Sequence, residues 1–218
     1  MTLISDFAAE TLEAAIVAFR ALRDTGTLSP GGTVTFVERV PGEQAIVSIR
    51  YPGPFAPDAS PRAAIFDFEG TPIGDAGDRG GARYLPVFRA HPHITTVSHV
   101  HTPYLGGWSQ SHRPLPIRYV AVQRWTYARE IPIYVDRTQS EAAFINAALD
   151  VEPSLPAILE ANGGATAFGS RGLTALAETI LLLEEGARFQ TIAEALGGAR
   201  DYGPGVLEQQ WKRTGLAA

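Results

Sequence analysis

The sequence predicts a mixed α/β protein folded as one domain over residues 1–218, and three observations carry that expectation. Apolar residues recur at helical spacing near both ends of the chain. Runs of β-branched and aliphatic residues, bounded by glycine and proline, fall between them. No internal repeat or low-complexity linker divides the sequence.

A chain of this length buries a substantial core. Its 45% hydrophobic and 19% charged residues are ordinary for a globular protein. The net charge of -5 and the lack of any Lys/Arg cluster argue against a nucleic-acid partner, because a phosphate backbone is gripped by clustered cations. With no cysteine, disulfides, thiolate metal ligands and a cysteine nucleophile are all excluded. Met1 to Glu13 carries Asp6 and Glu10 where a signal peptide would be basic, and no apolar run approaches membrane length. The expectation is a soluble, cytoplasmic protein with no membrane partner.

From Ser5 to Asp24, Phe7, Leu12, Ala15, Ile16, Phe19 and Leu22 form a helical stripe, with Gly26 as a stop. A glycine turn leads into Thr33-Val34-Thr35-Phe36-Val37, a strand whose hairpin partner is Gln44 to Arg50 across Pro41-Gly42. Prolines break Tyr51 to Pro61 into a loop, and Ala63 to Phe68 is the next strand. A glycine-rich loop, Gly74 to Gly81, opens a helix from about Ala82 to Ala90. Beyond the central strand at Val97, Tyr119 to Val122 and Ile131 to Val135 read as short strands, Ser140 to Leu149 as a helix, and Ala157 to Ala161 as a strand that meets Asn162-Gly163-Gly164 and continues over Ala165 to Phe168. Helices follow at Leu173 to Gly186, Phe189 to Leu196 and Gly205 to Arg213, their apolar stripes assigned to core.

The chemistry concentrates at Val97-Ser98-His99-Val100-His101-Thr102-Pro103-Tyr104. In a strand, residues two apart share a face, so His99 and His101 project together and can grip one divalent metal ion. The alternative for this spacing is a pair of histidines satisfied by hydrogen bonds in a half-buried sheet.

The order of features resembles the class II aldolase/adducin family, most closely its L-ribulose-5-phosphate 4-epimerase and L-fuculose-phosphate aldolase branch. Arg89-Ala90-His91-Pro92 followed by Val97 to Pro103 is similar to that family's R-x-x-P and V-x-H-T-H-S segment. Trp108-Ser109-Gln110 with Leu115-Pro116 resembles its W-S-Q continuation. Ala157 to Gly169 resembles its strand ending in N-H-G, Leu173 to Ala193 the helix that follows, and Leu207 to Arg213 the terminal helix. The resemblance implies a three-layer α/β/α sandwich with a mixed, mostly antiparallel central sheet, a homotetramer with its site between subunits, and a small-molecule substrate.

It also implies a zinc-like divalent ion held by three histidines, with an acidic residue ahead of the delivering helix as acid/base. His99 and His101 match the first two ligands. Gly163 stands at the third, and Gly80 at the acid. The family's phosphate-gripping Ser-Gly-Asn-x-Ser is replaced by Pro30-Gly31-Gly32-Thr33-Val34. A dianion leaving water needs several donors in return, so the expected substrate is not phosphorylated. A two-histidine site can be completed by a carboxylate, an arrangement suited to zinc, manganese or iron. Asp78 is the first candidate, then Asp75, with Glu69 more remote. Glu160 is set aside because strand alternation puts it on the face opposite Gly163.

Arg124, which reverses the charge found there in the epimerase branch, joins Asp78 and Tyr127 as candidate catalytic residues, with Arg124 suited to a substrate carboxylate. Tyr104, Trp108, Gln110 and Arg118 are candidate substrate-binding residues. Three functions are compatible: a metal-dependent lyase of aldolase or decarboxylase type, a non-haem iron oxygenase on the same scaffold, and a non-catalytic assembly relative like adducin itself.

Overall fold

The computed structural model describes residues 3–56, 60–74, 77 and 79–216. Helix α1 (Leu3–Asp24) leads into the hairpin β1 (Val34–Arg39) and β2 (Ala45–Arg50), then β3 (Ala63–Asp67). A 3₁₀ turn (Arg79–Tyr84) runs into α2 (Leu85–Ala90), which delivers the chain to β4 (Thr96–Val100). There follow α3 (Pro103–Gln110), β5 (Leu115–Pro116), α4 (Val120–Gln123), β6 (Glu130–Ile131), β7 (Ile133–Tyr134), α5 (Glu141–Val151), β8 (Ala157–Glu160), β9 (Ala165–Gly169), α6 (Leu173–Ala195) and α7 (Val206–Thr214).

Seven strands form one sheet in the order β3-β2-β1-β4-β9-β8-β7, antiparallel at every step except β7 with β8. Phe36 of β1 meets Phe19 of α1 with ring centroids 5.7 Å apart, and Glu38, two residues on, accepts a hydrogen bond from the Leu173 amide of α6. That face of the sheet therefore lies under α1 and α6. On the opposite face Val37 and Ser48 approach Gly81 of the 3₁₀ turn, with α2 and α5 packed beside it. The result is a three-layer α/β/α sandwich with a mixed, mostly antiparallel sheet. No helix among the described residues is long and apolar enough to cross a membrane.

Two local expectations are corrected. Tyr119 to Val122 is a helical turn rather than a strand: the amides of Gln123 and Arg124 bond back to the Tyr119 and Val120 carbonyls, and packing on α6 overrides the β-branched preference. Gly186 does not end a helix. It lies within α6 against the ring of Tyr119, which closely approaches its bare Cα, and the helix runs unbroken through it.

Candidate metal centre

His99 lies near the end of β4, paired with Thr35 of β1 on one side and Thr166 of β9 on the other. Thr166 in turn pairs with Ile158 of β8. These pairings put Thr35, His99, Thr166, Ile158 and, two residues on, Glu160 on one face of the sheet, towards the 3₁₀ turn and α5.

The Nε2 atoms of His99 and His101 lie 3.0 Å apart, within hydrogen-bonding distance, so the two rings are hydrogen-bonded to each other in the absence of an ion. Behind His99 a chain of hydrogen bonds has a defined direction. Arg83 donates to the Tyr84 hydroxyl at 2.6 Å, and Tyr84 donates to Glu141 at 3.3 Å. The Thr166 hydroxyl also donates to Glu141. The proton of Thr166 is thereby spent, so its oxygen accepts from His99 Nδ1 at 3.1 Å. This fixes His99 as the Nδ1–H tautomer and leaves the Nε2 lone pair facing His101, the arrangement of a metal-ligating histidine with its second partner in place.

The electrostatics agree. Burial, with the Arg83 charge next in size, pushes the His99 imidazole down to about 4, so it is neutral at physiological pH despite the opposing pull of Glu160. Burial raises the Glu141 carboxyl, partly offset by the Thr166 hydrogen bond and Arg83. Burial alone would raise Glu160 as well, but the Arg137 hydrogen bond and the nearby charges outweigh it and hold that carboxyl below its ordinary value. Burial likewise pushes the Tyr84 phenol up, which keeps it a hydrogen-bond donor.

The donors present fit a divalent ion. Two ligands at about 2.1 Å from a metal and about 90° apart leave their donor atoms about 3 Å from each other, which is the observed separation of the two Nε2 atoms. A second group, one donor atom each from His99, Glu141 and Glu160, lies within 4.8 Å of one another without including His101, and Glu160 meets His99 at its Nδ1 edge.

Glu160 and Glu141 are the residues that sequence reasoning misses. Counting alternation through to Gly163 excludes Glu160, but Asn162 takes a positive φ of 55° in the turn between β8 and β9, and alternation does not survive a turn. The Glu160 Oε2 atom lies 3.5 Å from His99 Nδ1. Glu141 stands in the first turn of α5 behind the N-cap Ser140, where an acidic residue suits the helix dipole and gives no local sign of a site.

Of the residues proposed beside the histidines, Asp78 and Asp75 lie outside the described residues, and Glu69 is exposed in the turn after β3. The other six are not joined to His99 or His101 by any hydrogen bond, ion pair or ring contact among the described residues. Arg118 pairs with Asp201 at 3.1 Å, and Arg124 Nε donates to the Val120 carbonyl of its own helical turn. The Tyr127 hydroxyl donates to the Leu216 carbonyl, and its ring stacks edge-on to Trp211. Tyr127 also lines a cavity of about 630 Å³ that reaches Ile94 and Gly169, at the end of β4 and β9 away from His99. Trp108 is buried and donates to Thr191, the Tyr104 amide donates to Glu184, and Gln110 is exposed at the end of α3. Within one chain, contacts to α6, α7 and the segments beside them hold this group, because the 117–130 segment is pinned by Trp211 and Thr214.

This sandwich, with an H-x-H strand at its centre, defines a class. Residues 57–191 match the family of the class II aldolase and adducin N-terminal domain, and the chain belongs to that family. Solved structures share the fold at low identity. An L-fuculose 1-phosphate aldolase from Glaciozyma antarctica PI12 superposes with a TM-score of 0.72 at 19% identity, covering 97% of this chain and 84% of that one. YgbL of Escherichia coli, described as a candidate aldolase/epimerase/decarboxylase, gives 0.71 at 17%, covering 94% and 98%. The L-fuculose-1-phosphate aldolase of Thermus thermophilus gives 0.67 at 20%, covering 88% and 99%. No curated protein sequence matches.

Proposed function

We propose that the protein is a metal-dependent lyase that makes or breaks a C–C bond next to a carbonyl in a small, non-phosphorylated substrate bearing a carboxylate. The observation that carries this reading is the convergence of the two Nε2 atoms at 3.0 Å with the His99 tautomer set from behind. A divalent ion held there supplies electrophilic polarisation of a carbonyl oxygen. His99 and His101 bind it, while Thr166 and Glu141 keep the His99 ring oriented. The guanidiniums of Arg83 and Arg137 are about half exposed beside the two carboxylates and are placed to orient a substrate carboxylate. Asp78, ahead of the 3₁₀ turn, is our candidate for proton transfer.

The absence of phosphate is supported by the loop Gly31-Gly32-Thr33, which lines a cavity of about 460 Å³ with Arg50 and Tyr51. Its glycines bring no side-chain donor where the family's phosphate-gripping segment has serine and asparagine, and a dianion leaving water calls for several. We further assign the chain to a homotetramer with its site between subunits, in which the exposed Gln110 and Tyr127 are candidates to face a neighbouring copy. The two carboxylates grouped with His99 favour a second reading, an iron-dependent oxygenase, because a mixed imidazole and carboxylate ligand set suits iron.

Metal analysis of protein purified without chelator tests the proposal. Close to one zinc, manganese or iron per chain, lost in His99→Ala, is the expected result. A metal-free protein whose stability is indifferent to added metal overturns both catalytic readings, and turnover that depends on dioxygen selects the second.

A further inference from the structure

The cavity of about 630 Å³ at the end of β4 and β9 away from His99 has no part in the metal centre. Its size lies within the roughly 300–1,000 Å³ of small-molecule pockets. Ile94, Leu155, Phe168 and Leu176 line it, each 6% exposed or less. They come from the approach to β4, the turn before β8, β9 and α6, so the core itself fixes an apolar floor. Thr96 pairs with Gly169 at the cavity, and His99 with Thr166 three residues further along β4. At the rise of a β-strand the two places lie about 10 Å apart.

The mouth of the cavity brings an aromatic ring and a cation together. Trp125 leaves 46% of its surface exposed there, and the Arg171 guanidinium lies over its ring, 4.9 Å from the centroid. Among the described residues that guanidinium makes no hydrogen bond or ion pair. A guanidinium stacked on a ring keeps its N–H groups in its own plane, where they remain available to a carboxylate. Two other ionisable groups line the cavity. The Glu152 carboxylate is turned to its own loop, where Oε1 accepts from the amide and hydroxyl of Ser154 at 2.9 and 2.6 Å. Burial, with the nearby His91 charge, holds the His93 imidazole below its ordinary value, so it is neutral at physiological pH. Arg171 is thus the one full positive charge on the cavity wall among the described residues.

We infer that this cavity is a second ligand site, apart from the metal centre, for a small aromatic monocarboxylate, with the ring against the apolar floor and Trp125 and the carboxylate on Arg171. The inference stands independently of the proposed function, since it needs neither a metal ion nor a lyase reaction.

The test is calorimetric titration of the full chain with benzoate, and with benzamide as its uncharged match. The native sequence is compared with Arg171→Gln, which removes the cation, with Ala175→Leu, which fills the cavity from the first turn of α6, and with His99→Ala. Circular dichroism first checks the fold of each. The native protein should bind one benzoate per chain with a Kd of about 0.1–1 mM, the range expected of so small a ligand. Benzamide should bind it at least about tenfold more weakly, and Arg171→Gln should weaken benzoate by about 10–100-fold, to the level of benzamide. Ala175→Leu should bind neither compound, and His99→Ala should match the native protein. Native affinity for benzoate in Arg171→Gln or in Ala175→Leu overturns the inference. So does binding that is lost in His99→Ala, which would place benzoate at the histidines. A native protein with no saturable binding below about 10 mM overturns it as well, the result expected if a second copy of the chain covers the cavity.

Discussion

Glu184 of α6 is only 6% exposed, and its three recorded hydrogen bonds all come from the segment that leaves the histidine strand. Its Oε2 accepts from the Thr102 hydroxyl at 2.6 Å and the Leu105 amide at 2.9 Å, and its Oε1 from the Tyr104 amide at 2.7 Å. Thr102 makes no side-chain cap for α3, so a carboxylate from another helix does that work. Burial pushes the Glu184 carboxyl up and the three donors pull it back down, the balance remaining above its ordinary value. In Glu184→Ala the hydroxyl and two amides lose their partner in a place that water reaches poorly. Each orphaned donor costs about 1–3 kcal/mol, but the native carboxylate's own desolvation is relieved at the same time, so we expect a net loss of about 3–5 kcal/mol. For a protein of this size that lowers Tm by roughly 6–20 °C. Glu184→Gln retains one acceptor oxygen and should lose less. Calorimetry and urea denaturation of the metal-free proteins measure both. A loss below about 1 kcal/mol in Glu184→Ala would refute the claim that this carboxylate anchors α3, and with it the claim that His101 is held from its C-terminal side.

Two further predictions concern the same pair of strands. A Cβ on Gly164 would stand 2.2 Å from the Val100 carbonyl oxygen and 2.8 Å from His101 Cδ2, so β4 or the turn must shift to admit it. Gly164→Ala should therefore cost about 1–3 kcal/mol in urea denaturation and weaken cobalt binding, and native-like values for both would contradict the close packing at His101. The second prediction concerns pH. His99 is lowered to about 4 in the folded protein, against about 6.5 unfolded, so above pH 6.5 it is neutral in both states and has no effect. As the pH falls from 6.5 to 4 the unfolded chain takes up a proton that the fold refuses. Metal-free protein should lose about 3 kcal/mol across that window, with no further loss from this group below it. The difference between native and His99→Gln stability curves isolates the effect, since Glu160 destabilises in the same direction while the raised Glu141 and Glu184 oppose it. Parallel curves for the two proteins would show that His99 is not buried as a neutral base.

What was legible in the sequence was whatever is written in short-range periodicity. β4 and its two histidines follow from a period of two, the β1–β2 hairpin from alternation across a Pro-Gly turn, and α1 from a single apolar stripe. The carboxylates of the centre obey no such local rule. Glu160 shares a face with His99 only through two cross-strand registers, His99 with Thr166 and Thr166 with Ile158, and strand pairing is a tertiary fact. Glu141 arrives from a helix more than 40 residues further along the chain. In the same way, Arg118, Arg124 and Tyr127 are polar residues in a plausible stretch, but α7 and Asp201 claim them, and those partners come from the last turns of the chain.

The charges around the histidines have a physical consequence. Glu160 and Glu141 lie behind His99, and their negative charge would offset part of the charge of a divalent ion held at its Nε2 edge. Arg83 and Arg137 return two positive charges, one beside each carboxylate, and both guanidiniums remain about half exposed while the carboxylates are nearly buried. The negative charge is therefore deep and the positive charge is at the mouth. Under the proposed function, a substrate bearing a carboxylate would meet the arginines first and be oriented by them. A neutral sugar gains nothing from that gradient, which is the physical ground for preferring a small carboxylate substrate at this centre.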